Sequence, residues 1–395
     1  KEAAEVIKSS KNPIIISGGG VFYSDAMEEL SDFAIKHNIP VTQTVMGYST
    51  MKRDHPHYAG QIGALGGKNT NLIAKQTDLA IAIGTKLGDF TTGSWANFEN
   101  KNFKLVTINV SRFDANKHLA QAIVGDAKIS LKDLSIALGD WKANEEWNKK
   151  SQTELAIWNE QIEKESAPSN QEIPSYVQAI GAIYKNSDPS DIAVTAAGGL
   201  VGEVVQVWRP RELNTHETEW GFSCMSYEIS GALGIKMANP NKEVISFVGD
   251  GSYLLNNTDI YSSVITKNKL IIIVCDNGGF AVINRLQLFK GGNEYNNLLK
   301  SSNTPGLVDV DFAKHAESMG AKSEHVNSIS DLEEAFKRAK KSDVTYVISI
   351  KTHAYQWLEG SAFWDSPTLE IPTTDENKEA LKLYKEGKSK QRQGV

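Results

Sequence analysis

The chain has 395 residues, 40% hydrophobic and 23% charged, with a formal net charge of -6, which is ample for two domains with full cores and excludes a disordered polymer. That charge leaves no basic face, so no nucleic-acid partner is expected. The apolar runs are strand-length against the about 20 residues a bilayer crossing needs, and no signal peptide is visible, so no membrane partner and a cytoplasmic location are expected.

The chain opens on Lys1 rather than Met, directly in an amphipathic helix, which suits a segment of a longer protein. Helix-like Ala3 to Lys8 leads to the apolar run Pro13 to Ser17, then Gly18-Gly19-Gly20, a helix from Ala26 to His37 and extended Val41 to Val45. Leu79 to Ile83 and Val106 to Val110 are further strands. Such alternation predicts an open parallel sheet covered by helices. The triple glycine lacks the full GxGxxG spacing and a convincing acidic partner, so it reads as a close-packed turn rather than a dinucleotide site.

Residues 1–140 form one expected domain and 141–172 a connecting helix, with Trp141, Trp147 and Trp158 as anchors against the flanking domains. A second domain is expected over 173–355, followed by a tail over 356–395 whose lysine-rich end reads as a solvated, frayed helix. The fold class is therefore α/β, with two doubly wound parallel sheets. In the second domain a helix from Pro174 to Tyr184 precedes a strand over Asp191 to Thr195, which ends in Ala196-Ala197-Gly198-Gly199. A helix containing Val204 to Trp208, a polar loop over Arg209 to Glu219 and a helix over Ser230 to Met237 follow. The stretch after Gly279 passes from helix-like to loop-like, and a helix over Leu332 to Lys340 and a strand over Thr345 to Ile350 complete the sheet. The two cysteines, Cys224 and Cys275, have no CxxC spacing, which fits a reducing compartment and argues against structural zinc or disulfides.

The most informative stretch is EVISFVGDGSYLLNNTDIYSSVITKNKLIIIVCDNGGFAVINR, residues 243–285. Two β-branched runs, Val244 to Val248 and Leu270 to Cys275, flank a helix-like segment, Thr258 to Lys267. A right-handed βαβ crossover brings Gly249-Asp250-Gly251 and Asp276-Asn277-Gly278-Gly279 side by side at one sheet edge. The carboxylate of Asp250, the amide oxygen of Asn277 and nearby backbone carbonyls are hard oxygen ligands, too few to fill an Mg²⁺ shell without phosphate oxygens. Gly249 and Gly251 allow close approach of a phosphate, and Ser252 adds a donor. Each motif alone is ordinary turn chemistry. Paired at the ends of two buried strands, they suit a diphosphate and its metal.

This stretch resembles the diphosphate and metal motif of thiamine diphosphate enzymes, departing from it in that Asp276 stands where the first of two paired asparagines is usual. The resemblance implies thiamine diphosphate and Mg²⁺ as cofactors, with Asp250, Asn277 and the carbonyl of Gly279 as metal ligands. It implies a cofactor site from Gly198, Gly199, Ser223, Met225, Gly249, Asp250, Gly251, Ser252, Asn277, Gly279 and Phe280. Met225 would prop the bent cofactor and the Ser223 carbonyl would hold its pyrimidine. Residues 1–140 resemble the middle domain of such enzymes, and residues 173–355 their diphosphate-binding domain.

Four segments narrow the resemblance: EWGFSCMSYEISGALG, GDFTTGS, CDNGGFAVINRLQ and DFAKHAESMGA. Together they are similar to the 3D-(3,5/4)-trihydroxycyclohexane-1,2-dione hydrolase family of myo-inositol breakdown. That implies a polyhydroxylated cyclic dione as small-molecule substrate, cleavage of its C–C bond to 5-deoxyglucuronic acid, and a homo-oligomer, dimer or tetramer, at full length. The family's pyrimidine-binding domain, with its activating glutamate, would precede residue 1, so this chain alone is expected to hold the cofactor weakly and to be inactive. His216, Glu217, Glu219 and Glu228 are candidates for proton transfer, with His216 and Glu219 foremost. Two other readings fit the same residues: an acetohydroxyacid synthase-like carboligase or decarboxylase, and a non-catalytic nucleotide-binding scaffold.

Overall fold

The structure, a computed structural model, describes residues 1–169 and 171–392. Residue 170 of the expected linker and residues 393–395 of the expected tail lie outside the described residues. Two six-stranded sheets organise the chain. The first contains β1 (Pro13–Ser17), β2 (Val41–Gln43), β3 (Tyr58–Gln61), β4 (Leu79–Ile83), β5 (Lys104–Asn109) and β6 (Gln121–Val124), in the order β3-β2-β1-β4-β5-β6. The second contains β7 (Ile192–Thr195), β8 (His216–Thr218), β9 (Val244–Gly249), β10 (Ile271–Asp276), β11 (Lys322–Val326) and β12 (Tyr346–Lys351), in the order β11-β12-β10-β9-β7-β8. All named strand pairings are parallel.

The central strands read as continuous apolar runs because helices bury both faces. In β1, Ile15 enters one core while Ile14 and Ile16 enter the core on the opposite face. In β10, Ile271, Ile273 and Cys275 face one core, and Ile272 and Val274 the other. The glycine turn after β1 is a packing device. A Cβ on Gly20 would lie 2.5 Å from the Gly84 Cα, so two strand-to-helix turns meet backbone to backbone there.

The helix Glu145–Glu165 lies between the two sheets. Its Trp147 donates Nε1–H to the Pro13 carbonyl at 2.8 Å and belongs to a first-sheet core, whereas Trp158 packs in a core of the second sheet.

Two expectations need correction. The loop over Arg209 to Glu219 contains the edge strand β8, whose three residues pair with Ala193 to Thr195; its polar composition hid it. The C-terminal helix Asp375–Ser389 is docked rather than merely solvated. Its Asn377 and Ala380 are buried, a Cβ on Gly387 would meet the Phe363 ring, and Tyr384 donates its hydroxyl proton to Asp365 at 2.7 Å. The helix thereby fixes the segment after β12, which runs back over the carboxyl ends of the second sheet's strands.

Candidate active site

In the second sheet, connections run outward to β8 on one side and toward β10 on the other, so chain direction reverses between β7 and β9. A crevice at such a reversal, outside the carboxyl ends of the strands, is the usual ligand position in open α/β sheets. The Gly198-Gly199 turn follows β7 and Asp250 follows β9. In β10, Cys275 pairs with Gly249, which sets Asp276 and Asn277 beside Asp250.

Asp250 is buried, and its Oδ1 has no hydrogen-bond partner among the described residues. Burial, reinforced by the charge of Asp276, pushes its carboxyl up to about 7. Asn277 donates its amide N–H to the Tyr176 hydroxyl, which turns its Oδ1 the other way, buried and likewise without a partner among the described residues. Gly279 forms an antiparallel bridge with Leu298, made through Phe280 N–H to the Asn297 carbonyl (2.7 Å) and Leu299 N–H to the Gly278 carbonyl (2.8 Å). That pairing uses the groups on either side and leaves the Gly279 carbonyl free of it. Two orphaned buried oxygens and a carbonyl at one crevice fit a hard cation, since an unmatched buried oxygen otherwise costs free energy. Among the described residues no three His, Cys, Asp or Glu side chains cluster as a metal site, so a cation held here depends on further oxygens from its ligand.

Asp276 has a structural role. Its carboxylate accepts Gly278 N–H at 2.9 Å and pairs with Lys351 at 2.7 Å, which offsets the second negative charge beside Asp250.

The glycines explain themselves sterically. Gly198 has φ +79°, a conformation that favours glycine. A Cβ on Gly199 would fall 2.0 Å from the Trp357 ring, and one on Gly251 2.6 Å from the Phe280 ring. Ser252 is buried, and its carbonyl accepts the Ser226 hydroxyl at 3.3 Å.

The loop carrying Ser223 and Met225 is held in an uncommon shape. Ser223 and Ser226 have φ of +55° and +81°, in the left-handed region that non-glycine residues seldom enter without support. Glu219 supplies that support: its carboxylate accepts Phe222 N–H at 2.9 Å and Cys224 N–H at 2.6 Å. The Ser223 hydroxyl donates to the Ala196 carbonyl at 3.3 Å. Met225 is left 37% exposed.

His216 lies elsewhere. It is buried edge-on to Tyr48, with ring centroids 5.2 Å apart, beside Phe22, Val45 and Met46 of the first domain. Burial lowers its pKa to about 3, so the ring is neutral near pH 7, and the structure does not bring it to the crevice. Glu228 lies under the Ala196 to Gly199 turn, with one carboxylate oxygen 3.5 Å from Ala197 N and burial raising its pKa.

One buried carboxylate escaped sequence reading. Glu203, in the helix Gly199–Val207, is 4% exposed and accepts Leu358 N–H at 3.3 Å on each oxygen. A single acid in the apolar run GLVGEVVQV was the signal that could have found it.

Comparison with known proteins agrees with this geometry. Residues 1–134 match "Thiamine pyrophosphate enzyme, central domain" and residues 196–350 match "Thiamine pyrophosphate enzyme, C-terminal TPP binding domain". A Clostridium perfringens relative named 3D-(3,5/4)-trihydroxycyclohexane-1,2-dione hydrolase is 35% identical over 92% of this chain and 61% of its own length. Relatives of the same name from Geobacillus thermodenitrificans and Clostridium botulinum are each 35% identical, over 95% and 97% of this chain and 63% and 64% of theirs. The chain thus spans less than two thirds of the length of these relatives. With the cofactor-binding match running from the turn after β7 through β12 and so over the crevice, and the central-domain match over the first sheet, the chain belongs to the thiamine pyrophosphate enzymes.

Proposed function

We propose that this chain is the central and cofactor-binding part of a thiamine diphosphate-dependent hydrolase that opens the ring of 3D-(3,5/4)-trihydroxycyclohexane-1,2-dione to 5-deoxyglucuronic acid. The observation that carries the reading is the pair of buried oxygens, Asp250 Oδ1 and Asn277 Oδ1, without partners among the described residues at the reversal point of the second sheet. The relatives of that name support the substrate.

In this proposal Asp250, Asn277 and the Gly279 carbonyl hold Mg²⁺. The backbones of Gly198, Gly199, Gly249, Gly251 and Ser252 approach the diphosphate, while Phe280 covers Gly251. Ser223 and Met225 face the pyrimidine, and Glu219 positions them by fixing their loop. Bound thiamine diphosphate supplies the electron sink for C–C cleavage; the protein binds and orients the dione and governs water and proton access. Overall one water is added and one ring C–C bond breaks, giving an open-chain acid. The longer enzyme acts in this reading as a cytoplasmic homo-oligomer.

The test is to incubate the longer enzyme with the dione, thiamine diphosphate and Mg²⁺, and to follow the products by mass spectrometry. Loss of the dione with gain of one water and a new carboxylate is expected. Unchanged dione, with acetolactate formed from pyruvate instead, would replace this reading with the carboligase one.

A further inference from the structure

A cavity of about 370 Å³ lies between the two domains and the segment after β12. Gly198, Gly199 and Ser223 form part of its wall, so it adjoins the crevice. Its volume falls within the few-hundred-Å³ range of small-ligand pockets. Phe90 of the first domain, Trp220, Trp357 and Trp364 supply flat apolar faces; Phe90 meets Trp220 and Trp364, each with ring centroids 5.2 Å away.

Three polar groups stand against these faces. Gln206 is 9% exposed, and its Oε1 is buried without a partner among the described residues; its amide nitrogen donates to the Gly66 carbonyl at 3.4 Å. Glu203 is one helical turn away, held only by the main-chain N–H of Leu358 among the described residues. Burial pushes its carboxyl up to about 7, so near neutrality both protonation states are present, one able to donate to a hydroxyl and the other to accept from it. The Arg285 guanidinium lies 5.0 Å over the Trp357 ring and lines the cavity with its donors unused by protein groups among the described residues. An unpaired amide oxygen and a carboxylate facing aromatic walls call for a ligand with hydroxyls around its edge and C–H bonds on its faces.

We propose that this cavity holds the hydroxyl-bearing part of the substrate, a polyhydroxylated six-membered ring, with Glu203 and Gln206 binding its hydroxyls, Arg285 an oxygen at its edge, and the tryptophans its faces. The proposal rests on the hydrolase reading above and adds to it the residues that recognise the ring. Glu203 and Gln206 are binding residues here. The cofactor is held by other groups.

The test uses tryptophan fluorescence of this chain, since Trp220, Trp357 and Trp364 surround the cavity. Titration with myo-inositol, an unreactive cyclic polyol, is expected to give saturable quenching that cyclohexanol does not give. Glu203→Gln, which keeps an acceptor for Leu358 N–H, and Gln206→Leu should each weaken the polyol by about 10-fold, the scale for a lost polar contact in a pocket built for it. In the longer enzyme the same variants should raise KM for the dione more than they lower kcat, and leave thiamine diphosphate affinity unchanged. No quenching by myo-inositol, or equal affinity in wild type and both variants, would overturn the proposal. Failure of the hydrolase reading looks different: polyol binding that depends on Glu203 and Gln206, with no turnover of the dione.

Discussion

Replacing Asp250 by asparagine should make the metal-free chain more stable while removing its response to the cofactor. The carboxylate is 5% exposed, lacks a partner at Oδ1 among the described residues, and has Asp276 beside it. Its pKa in the folded chain is raised from 3.8 to about 7. A carboxyl raised in this way holds its proton more tightly when folded, so stability is full below the unfolded value and falls as pH rises from 3.8 through about 7. That displacement corresponds to about 4 kcal/mol lost by full ionisation. Asparagine keeps the shape and one acceptor without the charge, but its amide must also be desolvated, at about 1–3 kcal/mol. A net gain of about 2 kcal/mol is expected at pH 8 in EDTA, which for a domain of this size raises Tm by roughly 4–8 °C. At pH 5.5 the wild-type group is largely protonated, and the gain should fall to near zero. Paired thermal melts at the two pH values read this directly. A variant less stable than wild type at pH 8, or a gain that does not shrink at pH 5.5, would refute the reasoning.

Gly199→Ala should push the Trp357 ring aside, because the new Cβ would fall 2.0 Å from it; a cost of about 1–3 kcal/mol and a red-shifted tryptophan emission are expected. Glu219→Ala should release the Phe222 and Cys224 N–H groups and let the strained loop relax. Faster chymotrypsin cleavage after Phe222, which is 93% exposed, is the expected readout, with little change in Tm.

Legibility in the sequence followed burial. The runs that became β1, β4, β9 and β10 were readable because both faces of each strand are covered and every position is apolar or small. The edge strands were not. β8 is His216-Glu217-Thr218, β11 is Lys322-Ser323-Glu324-His325-Val326, and neither has an apolar run to announce it. The Asp250 and Asn277 turns could be paired from sequence because a single crossover rule joins their strands. Glu203, Gln206 and Trp357 could not, since the first two lie in one helix and the third arrives from a segment more than 150 residues later. His216 is a proton-transfer candidate on residue type and chain position alone. Its strand register turns the ring toward Tyr48 rather than the crevice, a distinction that needs the edge pairing to be known.

The measurement closest to the central claim is a calorimetric titration of this chain with thiamine diphosphate at millimolar concentration, in Mg²⁺ and in EDTA, for wild type and Asp250→Ala. Binding that requires Mg²⁺ and is lost on removing the Asp250 carboxylate is the predicted result. Binding of equal strength in EDTA or in Asp250→Ala, or no binding by the wild type in Mg²⁺, would contradict the assignment of Asp250 and Asn277 as the metal site.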